Sequence, residues 1–317
     1  MELTRPNSQI LFTGWNSLFQ GAYQATELYW KLFATRIPSM TEAELYNWIA
    51  QLPGLEEVCG PAKINNVPLR DYILTNKVFK SNIGLNKWKV KNDQHGVFAP
   101  TVTAFGEACA RWPDEQVAAA VEAATSAICY DGQPFFDIDH PYAIDNPSLG
   151  VYCNNFVGPE YDLEANPVGV WGFAQSKMGT YKGDSGKPLG LRADILMVPP
   201  ELEMPAKQAA RAELIPQAIR NNAGTENVGG AAVSNIIRGD FTVIVNPYLV
   251  TKAAYVLCTR KALRPFVWQV RQEPEFITIV DPTDPHVRTA DEFLYGAEAS
   301  GVPGYALPFL AIRLARS

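Results

Sequence analysis

The stretch from Pro100 to Cys129 constrains the fold more than any other part of the chain. Val102, Phe105 and Cys109 recur at i, i+3 and i+7, the spacing of one helix face. Pro100 suits a first helical turn, where its missing N–H costs nothing. Pro113 interrupts the pattern and predicts a kink or a second helix start. Asp114 and Glu115 behind it complement a fresh N-terminal dipole. Val117, Val121, Ala124 and Ile128 extend the apolar stripe, and Asp131-Gly132 supplies turn chemistry that closes the element.

The segments before this helix have a different texture. Residues 7–34 read as partly helical, with Ile10, Leu11, Trp15, Leu18, Phe19 and Ala22 on one face. Such a segment is either a helix docked on the chain's own core or an arm that packs on a neighbour, and the docked helix is slightly favoured. Trp15, Phe19, Tyr23, Tyr29, Trp30 and Phe33 crowd this region. A core accounts for some of them, and an interface accounts for them equally. Residues 38–95 look extended. Pro53, Gly54, Gly60, Pro61 and Pro68 are too many breakers for a helix, and Tyr72–Asn92 reads as one or two half-polar strands. A hairpin of that kind does not support itself alone, so it lies against something in this chain or another.

Behind Gly132, residues 133–190 are rich in Gly, Pro, Asn and Asp and read as a long loop or insertion. Asp194–Val198 and Phe241–Val245 read as short buried strands, with a helix over Pro199–Leu214 between them. This predicts a compact α/β lobe across roughly 131–260. Pro265–Gln272 and Tyr305–Ala315 read as further strands. Extended arms, one long helix and one compact lobe make an odd monomer, and they fit a chain that completes much of its burial against other chains.

Composition narrows the functional classes. The chain has 317 residues, 47% hydrophobic, which is enough for one or two sizeable cores. Its net charge is −6, and no cluster of Lys and Arg marks a phosphate-gripping face. The densest basic run, Lys87–Lys91, alternates with apolar residues and reads as a solvated strand face. The five cysteines are widely spaced with no CxxC pair, which points to reduced thiols rather than a disulfide framework. No signal-peptide pattern or membrane-length apolar run is visible, so a cytoplasmic site of synthesis is expected.

The case for catalysis is thin. Asp137, Asp139 and His140 lie within four residues and are of metal-ligating type. They would support a metal-dependent hydrolase only with further ligands from a distance. The alternative is a turn in which the carboxylates cap backbone N–H groups before Pro141. The run Gly183–Pro188 is similar to the nucleophile loop of trypsin-like proteases, but no matching base and acid surround Ser185, and a surface loop is the better reading. Asn227–Val233 is glycine-rich without phosphate-cradling spacing. No catalytic residue, cofactor or metal is therefore expected.

The string CYDGQPFFDIDHP, Cys129 to Pro141, resembles a signature of the major head subunits of Mu-like tailed phages. The resemblance extends through Gly14–Tyr23, Gly96–Pro100, Trp112–Val117, Arg264–Phe276 and Phe293–Tyr305. It implies the α+β tailed-phage capsid fold named for phage Hong Kong 97. It also implies a division into an N-terminal arm (1–37), a P-domain strand and extended loop (38–95), and a spine helix (96–130). An A-domain (131–260, with an insertion near 145–190) and a return to the P-domain sheet (261–317) would follow. The function implied is structural: self-assembly into pentamers and hexamers that enclose double-stranded DNA without sequence-specific binding. Scaffold, portal and decoration proteins would be partners, with no membrane involved. The expected location is the virion capsid, assembled in the host bacterial cytoplasm. Trp15, Phe19 and Tyr23 would anchor the arm, and Phe79, Ile83 and Leu85 would seat the extended loop on a neighbour. Lys77 and Lys80 lie in that segment, and no covalent cross-link is expected. An encapsulin-like shell protein is the remaining alternative.

Overall fold

The aromatic N-terminal segment folds as helix α1 (Arg5–Ala25) and a single turn, α2 (Trp30–Phe33), which runs straight into strand β1 (Ala34–Pro38). Strands β2 (Ala43–Ile49) and β3 (Leu69–Thr75) pair antiparallel, and β4 (Lys77–Asn86) follows after Asn76. A one-turn helix α3 (Lys87–Lys91) precedes the long helix α4 (Phe98–Ala123). Then come strand β5 (Asn155–Val157), helix α5 (Pro167–Thr180), β6 (Ile195–Val198), α6 (Glu203–Arg211), β7 (Thr242–Val245) and β8 (Ala253–Leu257). The chain ends in β9 (Phe266–Ile279), α7 (Pro285–Ala290), β10 (Glu292–Tyr305) and β11 (Ala311–Ala315). This is a computed structural model, and it describes residues 5–49, 69–92, 97–143, 146–183, 185–216, 219–220, 226–227, 232–281 and 284–316.

Two sheets organise the molecule. The first has the order β1-β9-β10-β4, with β1 parallel to β9 and the other pairs antiparallel. The second has the order β7-β6-β8-β11-β5. Helices α5 and α6 cover one face of the second sheet, through Trp171, Ala174, Met178, Ala206 and Ala209 against Leu196, Val198 and Val256. Its other face, carrying Ile195, Met197, Tyr255 and Leu257, meets the C-terminal half of α4 and the Phe266–Trp268 end of β9. The N-terminal half of α4 instead packs with α1 on the far end of the first sheet, around Phe105, Phe293 and Tyr295. One helix thus spans two cores and ties both sheets together.

Pro113 does not break this helix; it lies inside α4 and is buried. Asp114 serves a different helix from the one expected. Its carboxylate accepts the Trp30 N–H at 2.6 Å and the Tyr29 N–H at 3.2 Å, so it caps α2. The helix also ends earlier than its apolar stripe suggests. The Ala124 and Ala127 carbonyls accept N–H groups from Phe136 (2.9 Å) and Phe135 (3.1 Å), which turns the chain and leaves Ile128 exposed. On α1 the buried stripe is Phe12, Trp15 and Phe19, at spacings of three and four, while Ile10 and Leu18 face outward. The helix is docked, and tightly: a Cβ on Gly106 of α4 would lie 2.7 Å from the Phe19 carbonyl oxygen.

Three further expectations change. Lys87–Lys91 is a helical turn rather than a strand, because Asn86 Oδ1 accepts the N–H groups of Trp88 (3.0 Å) and Lys89 (3.3 Å). The loop-like region 133–190 contains a full helix, α5. The segment 261–317 does not return to one sheet, since β9 and β10 join the first while β11 sits between β8 and β5 in the second. Residues 50–68, most of the breaker-rich stretch, and most of the glycine-rich Asn227–Val233 lie outside the described residues.

Candidate functional site

The string from Cys129 to His140 has almost no regular structure, yet it is pinned at its two ends and at its central phenylalanines. Phe135 and Phe136 are fully buried, with ring centroids 5.0 Å apart. Phe135 packs on Phe266 and Tyr305, each at 5.1 Å, and Phe136 on Tyr255 at 5.7 Å. The string therefore fills the gap between the two sheets. Asn154, fully buried, ties it to the second sheet. Its Oδ1 accepts the Asp137 N–H (2.8 Å), while its Nδ2 donates to the carbonyls of Phe135 (2.8 Å) and Pro308 (3.1 Å).

A polar knot closes the string's two ends. Asp131 Oδ2 lies 2.6 Å from His140 Nδ1, and Asp131 Oδ1 accepts the Cys129 thiol (2.9 Å) and the Gln133 N–H (3.1 Å). His140 Nε2 lies 3.2 Å from the Phe135 carbonyl oxygen. A carbonyl only accepts, so Nε2 faces it as the donor, while Nδ1 faces the Asp131 carboxylate. Burial opposes ionisation of Asp131, but the His140 hydrogen bond and charge, with the Cys129 and Gln133 donors, hold its carboxyl below the usual value. Burial and the neighbouring carboxylate push the Cys129 thiol upward.

Cys129, Asp131 and His140 are the one grouping of metal-ligand side chains among the described residues. In this knot the three side chains are hydrogen-bonded to one another, thiol to carboxylate and carboxylate to imidazole. The carboxylates of the hydrolase reading do not join it. Asp137 Oδ1 accepts the Ile138 N–H at 2.7 Å, and Asp139 points to solvent. Ser185 is exposed in a tight turn closed by Gly186 N–H to Gly183 C=O at 2.7 Å. The imidazole upstream of it, His140, is committed elsewhere.

The six residues expected at subunit contacts all have partners within the chain. Trp15 and Phe19 are 5% and 0% exposed, packed on Tyr295 (6.1 Å) and on Phe105 and Phe276 (5.7 and 5.1 Å). Tyr23 donates to Glu273 (2.6 Å), which also pairs with Arg36 (2.7 Å). Burial, then that carboxylate, push the Tyr23 phenol upward. Phe79, Ile83 and Leu85 alternate along β4 and face inward. Phe79 meets Trp112 at 4.9 Å, and the other two flank the α1 core. Lys80, on the opposite face of β4, pairs with Glu298 at 3.0 Å.

The β2–β3 hairpin, which the sequence did not single out residue by residue, leaves one of its faces uncovered. Its inner face, Tyr46, Tyr72 and Leu74, packs on Val267, Val302 and Ala306. A polar network fixes its base: fully buried Gln269 accepts the Tyr46 hydroxyl (2.5 Å) and donates to Asn76 Oδ1 (2.8 Å), and Asn76 Nδ2 donates to Ser39 Oγ (2.8 Å). The outer face carries Leu45 and Ile73 directly opposite each other, 52% and 62% exposed. The sequence reads this region as extended and half-polar, without showing which face would be covered.

A family model described as phage capsid protein matches residues 88–301, and one described as Mu-like prophage major head subunit gpT matches residues 8–165. The chain is 24% identical over 316 residues to the major capsid protein of Escherichia phage Mu, covering 78% of this chain and 100% of that protein. It is 31% identical over 131 residues to the Mu-like prophage FluMu major head subunit of Haemophilus influenzae, 41% of this chain and 42% of that one. Among solved structures it is similar to the procapsid of bacteriophage JBD30, with a TM-score of 0.61 and 24% identity over 98% of this chain and 75% of that chain. The fold is thus the α+β tailed-phage capsid fold, and the protein, a major capsid protein with a structural rather than an enzymatic role, belongs to the phage capsid protein family.

Proposed function

We propose that copies of this chain close into pentamers and hexamers and build an icosahedral head around double-stranded DNA. The observation that carries this is the β2–β3 hairpin, anchored by a buried polar network yet presenting an uncovered apolar pair, Leu45 and Ile73. Two facing apolar side chains left exposed on a fixed hairpin offer a surface that another chain can cover. Head-to-tail contacts of this kind close into rings. In this reading the hairpin is the stem of the extended loop. The first sheet with α4 as spine is the peripheral domain, and the second sheet is the axial domain. Trp15, Phe19, Tyr23, Phe79, Ile83 and Leu85 act by holding α1 and β4 rigid, while the hairpin's outer face makes the direct contact.

The net charge of −6 suits a wall that encloses DNA without adhering to it. Scaffold, portal and decoration proteins are the proposed partners, and the host bacterial cytoplasm is the proposed place of assembly. Cryo-electron microscopy of particles formed by the chain tests the reading. Five- and six-fold rings in one shell with nuclease-protected DNA are expected. Closed shells that never hold DNA in infected or induced cells would favour an encapsulin-like container instead.

A further inference from the structure

The Cys129–Asp131–His140 knot has no task in the shell-subunit reading beyond holding the string. Its side chains belong to three metal-ligating types, and their ligand atoms all lie within 4.8 Å of one another. They are buried: His140 and Asp131 expose 0% and 3% of their side chains, and Cys129 is 4% exposed. Independent features of the fold bring them together. Gly132, with φ of +84°, turns the chain directly after Asp131, and its N–H bonds back to the Cys129 carbonyl at 3.2 Å. His140 arrives in a short antiparallel ladder opposite Tyr152 and stacks on that ring at 5.1 Å.

The charges in the knot call for a cation. His140 Nε2 faces the Phe135 carbonyl as donor, so Nδ1 of a neutral ring turns its lone pair on Asp131 Oδ2, 2.6 Å away. Two acceptors that close repel unless a positive charge lies between them. A proton would serve, but the Cys129 thiol, 2.9 Å from the other carboxylate oxygen, adds only one further hydrogen bond to a protonated pair. To a metal site it adds a soft ligand. The bond from Nε2–H to a carbonyl is also the support that metal-ligating histidines usually have, fixing ring and tautomer.

An ion among the three meets four donor atoms: Sγ, both carboxylate oxygens and Nδ1. Zinc takes sulfur at about 2.3 Å and nitrogen or oxygen at about 2.0–2.2 Å in a tetrahedron, which spaces sulfur, nitrogen and oxygen donors about 3–4 Å apart. The contacts of 2.6 and 2.9 Å in the knot need open by only about 1 Å to match. Thiolate and carboxylate together balance the two positive charges of the ion, so the filled site is neutral, as burial demands. Mixed sulfur, nitrogen and oxygen ligands favour zinc over magnesium or calcium, and a site sealed from water suits a structural ion rather than a catalytic one.

We propose that Cys129, Asp131 and His140 bind one zinc ion, which locks the string between the two sheets. Binding releases the thiol proton, and the Nδ1 proton where the ring carries one. The site is independent of the shell-subunit reading and fills whether or not the chain forms shells. The test uses the full chain, refolded without metal or with one equivalent of zinc or cobalt(II), then desalted. About one metal ion per chain is expected by elemental mass spectrometry. The cobalt form should show the near-ultraviolet charge-transfer band of a thiolate ligand, and zinc should raise the thermal midpoint. Cys129→Ser and His140→Gln should each weaken zinc at least about a hundredfold in competition with a chromophoric chelator, beyond the roughly 10–100-fold of a change outside the ligand set. Cys153→Ser, at a half-buried thiol elsewhere, should leave the affinity unchanged. The cobalt spectrum reads thiolate ligation in the wild-type chain, so the site stays testable where a variant fails to fold. Wild type that retains no metal, a cobalt form without the thiolate band, or zinc affinity unchanged in both ligand variants would overturn the site and leave the knot closed by protons alone.

Discussion

The Cys129–His140 string and the β2–β3 hairpin invert the usual link between regular structure and rigidity. The string has almost no repeating hydrogen bonds, but two buried phenylalanines, a closed Asp131–His140 pair and Asn154 hold it. The hairpin has a regular seven-residue ladder, but only one face and its base are covered. Stability follows burial and polar satisfaction, not the regularity of the backbone. The string therefore belongs to the fold of the single chain, and the hairpin's outer face is the part proposed for the assembly.

The strongest way to probe the buried side of this comparison is to empty a core. Trp15→Ala combined with Phe19→Ala should cost about 3–5 kcal/mol for each ring, enough to unfold the subunit. This differs from an arm contact, whose loss would leave a folded chain; an unchanged thermal midpoint would show that α1 is not part of the core. Within the string, Phe135→Ala should cost about 3–5 kcal/mol by denaturant titration, and His140→Ala a similar amount of about 3–5 kcal/mol because it strands a buried carboxylate.

The pH dependence sharpens the same contrast. Asp131 has a folded-state value below its unfolded one of 3.8, so its contribution is complete above that pH and is lost as pH falls through the depressed value. Asp114 has the opposite sign. Burial, the larger effect, raises its carboxyl despite the Trp30 and Tyr29 N–H donors, so stability is lost as pH rises from the unfolded value of 3.8 through the raised folded one. At neutral pH, Asp131→Asn should destabilise while Asp114→Asn should be neutral or stabilising; equal losses in thermal melts would refute the assignment. Gly106→Ala should cost about 1–3 kcal/mol through overpacking against α1, with Gly106→Ser worse. Smallest in stability is the hairpin: Leu45→Ser with Ile73→Ser should stay within about 0.5 kcal/mol per site.

Much of this was legible in the sequence where the signal was local. The periodicity of Val102, Phe105, Val117 and Val121 located α4, and the apolar runs at 194–198 and 241–245 located β6 and β7. Helix α5 was hidden because PVGVWGFAQSKMGT carries three glycines and no clear stripe; it is held by Val170, Trp171, Ala174 and Met178 against the second sheet. The end of α4 was hidden because N–H groups of Phe135 and Phe136 set it from outside the helix. The destination of β11 depends on pairing with β8 and β5, some 55 and 155 residues away, which no local pattern encodes. In the string, His140 was visible as a ligand type, but its partner proved to be Asp131 rather than Asp137 or Asp139. Asn154 gave no signal at all.

The most direct measurement is electron microscopy with sedimentation velocity on two proteins in parallel, the wild-type chain and the Leu45→Ser, Ile73→Ser variant. Wild type should form rings, tubes or closed shells, alone or with a candidate scaffold, while the variant remains as folded subunits with the same melting temperature. Small monodisperse particles from the wild type under every condition, or a variant that assembles like wild type, would contradict a subunit whose burial is completed between copies.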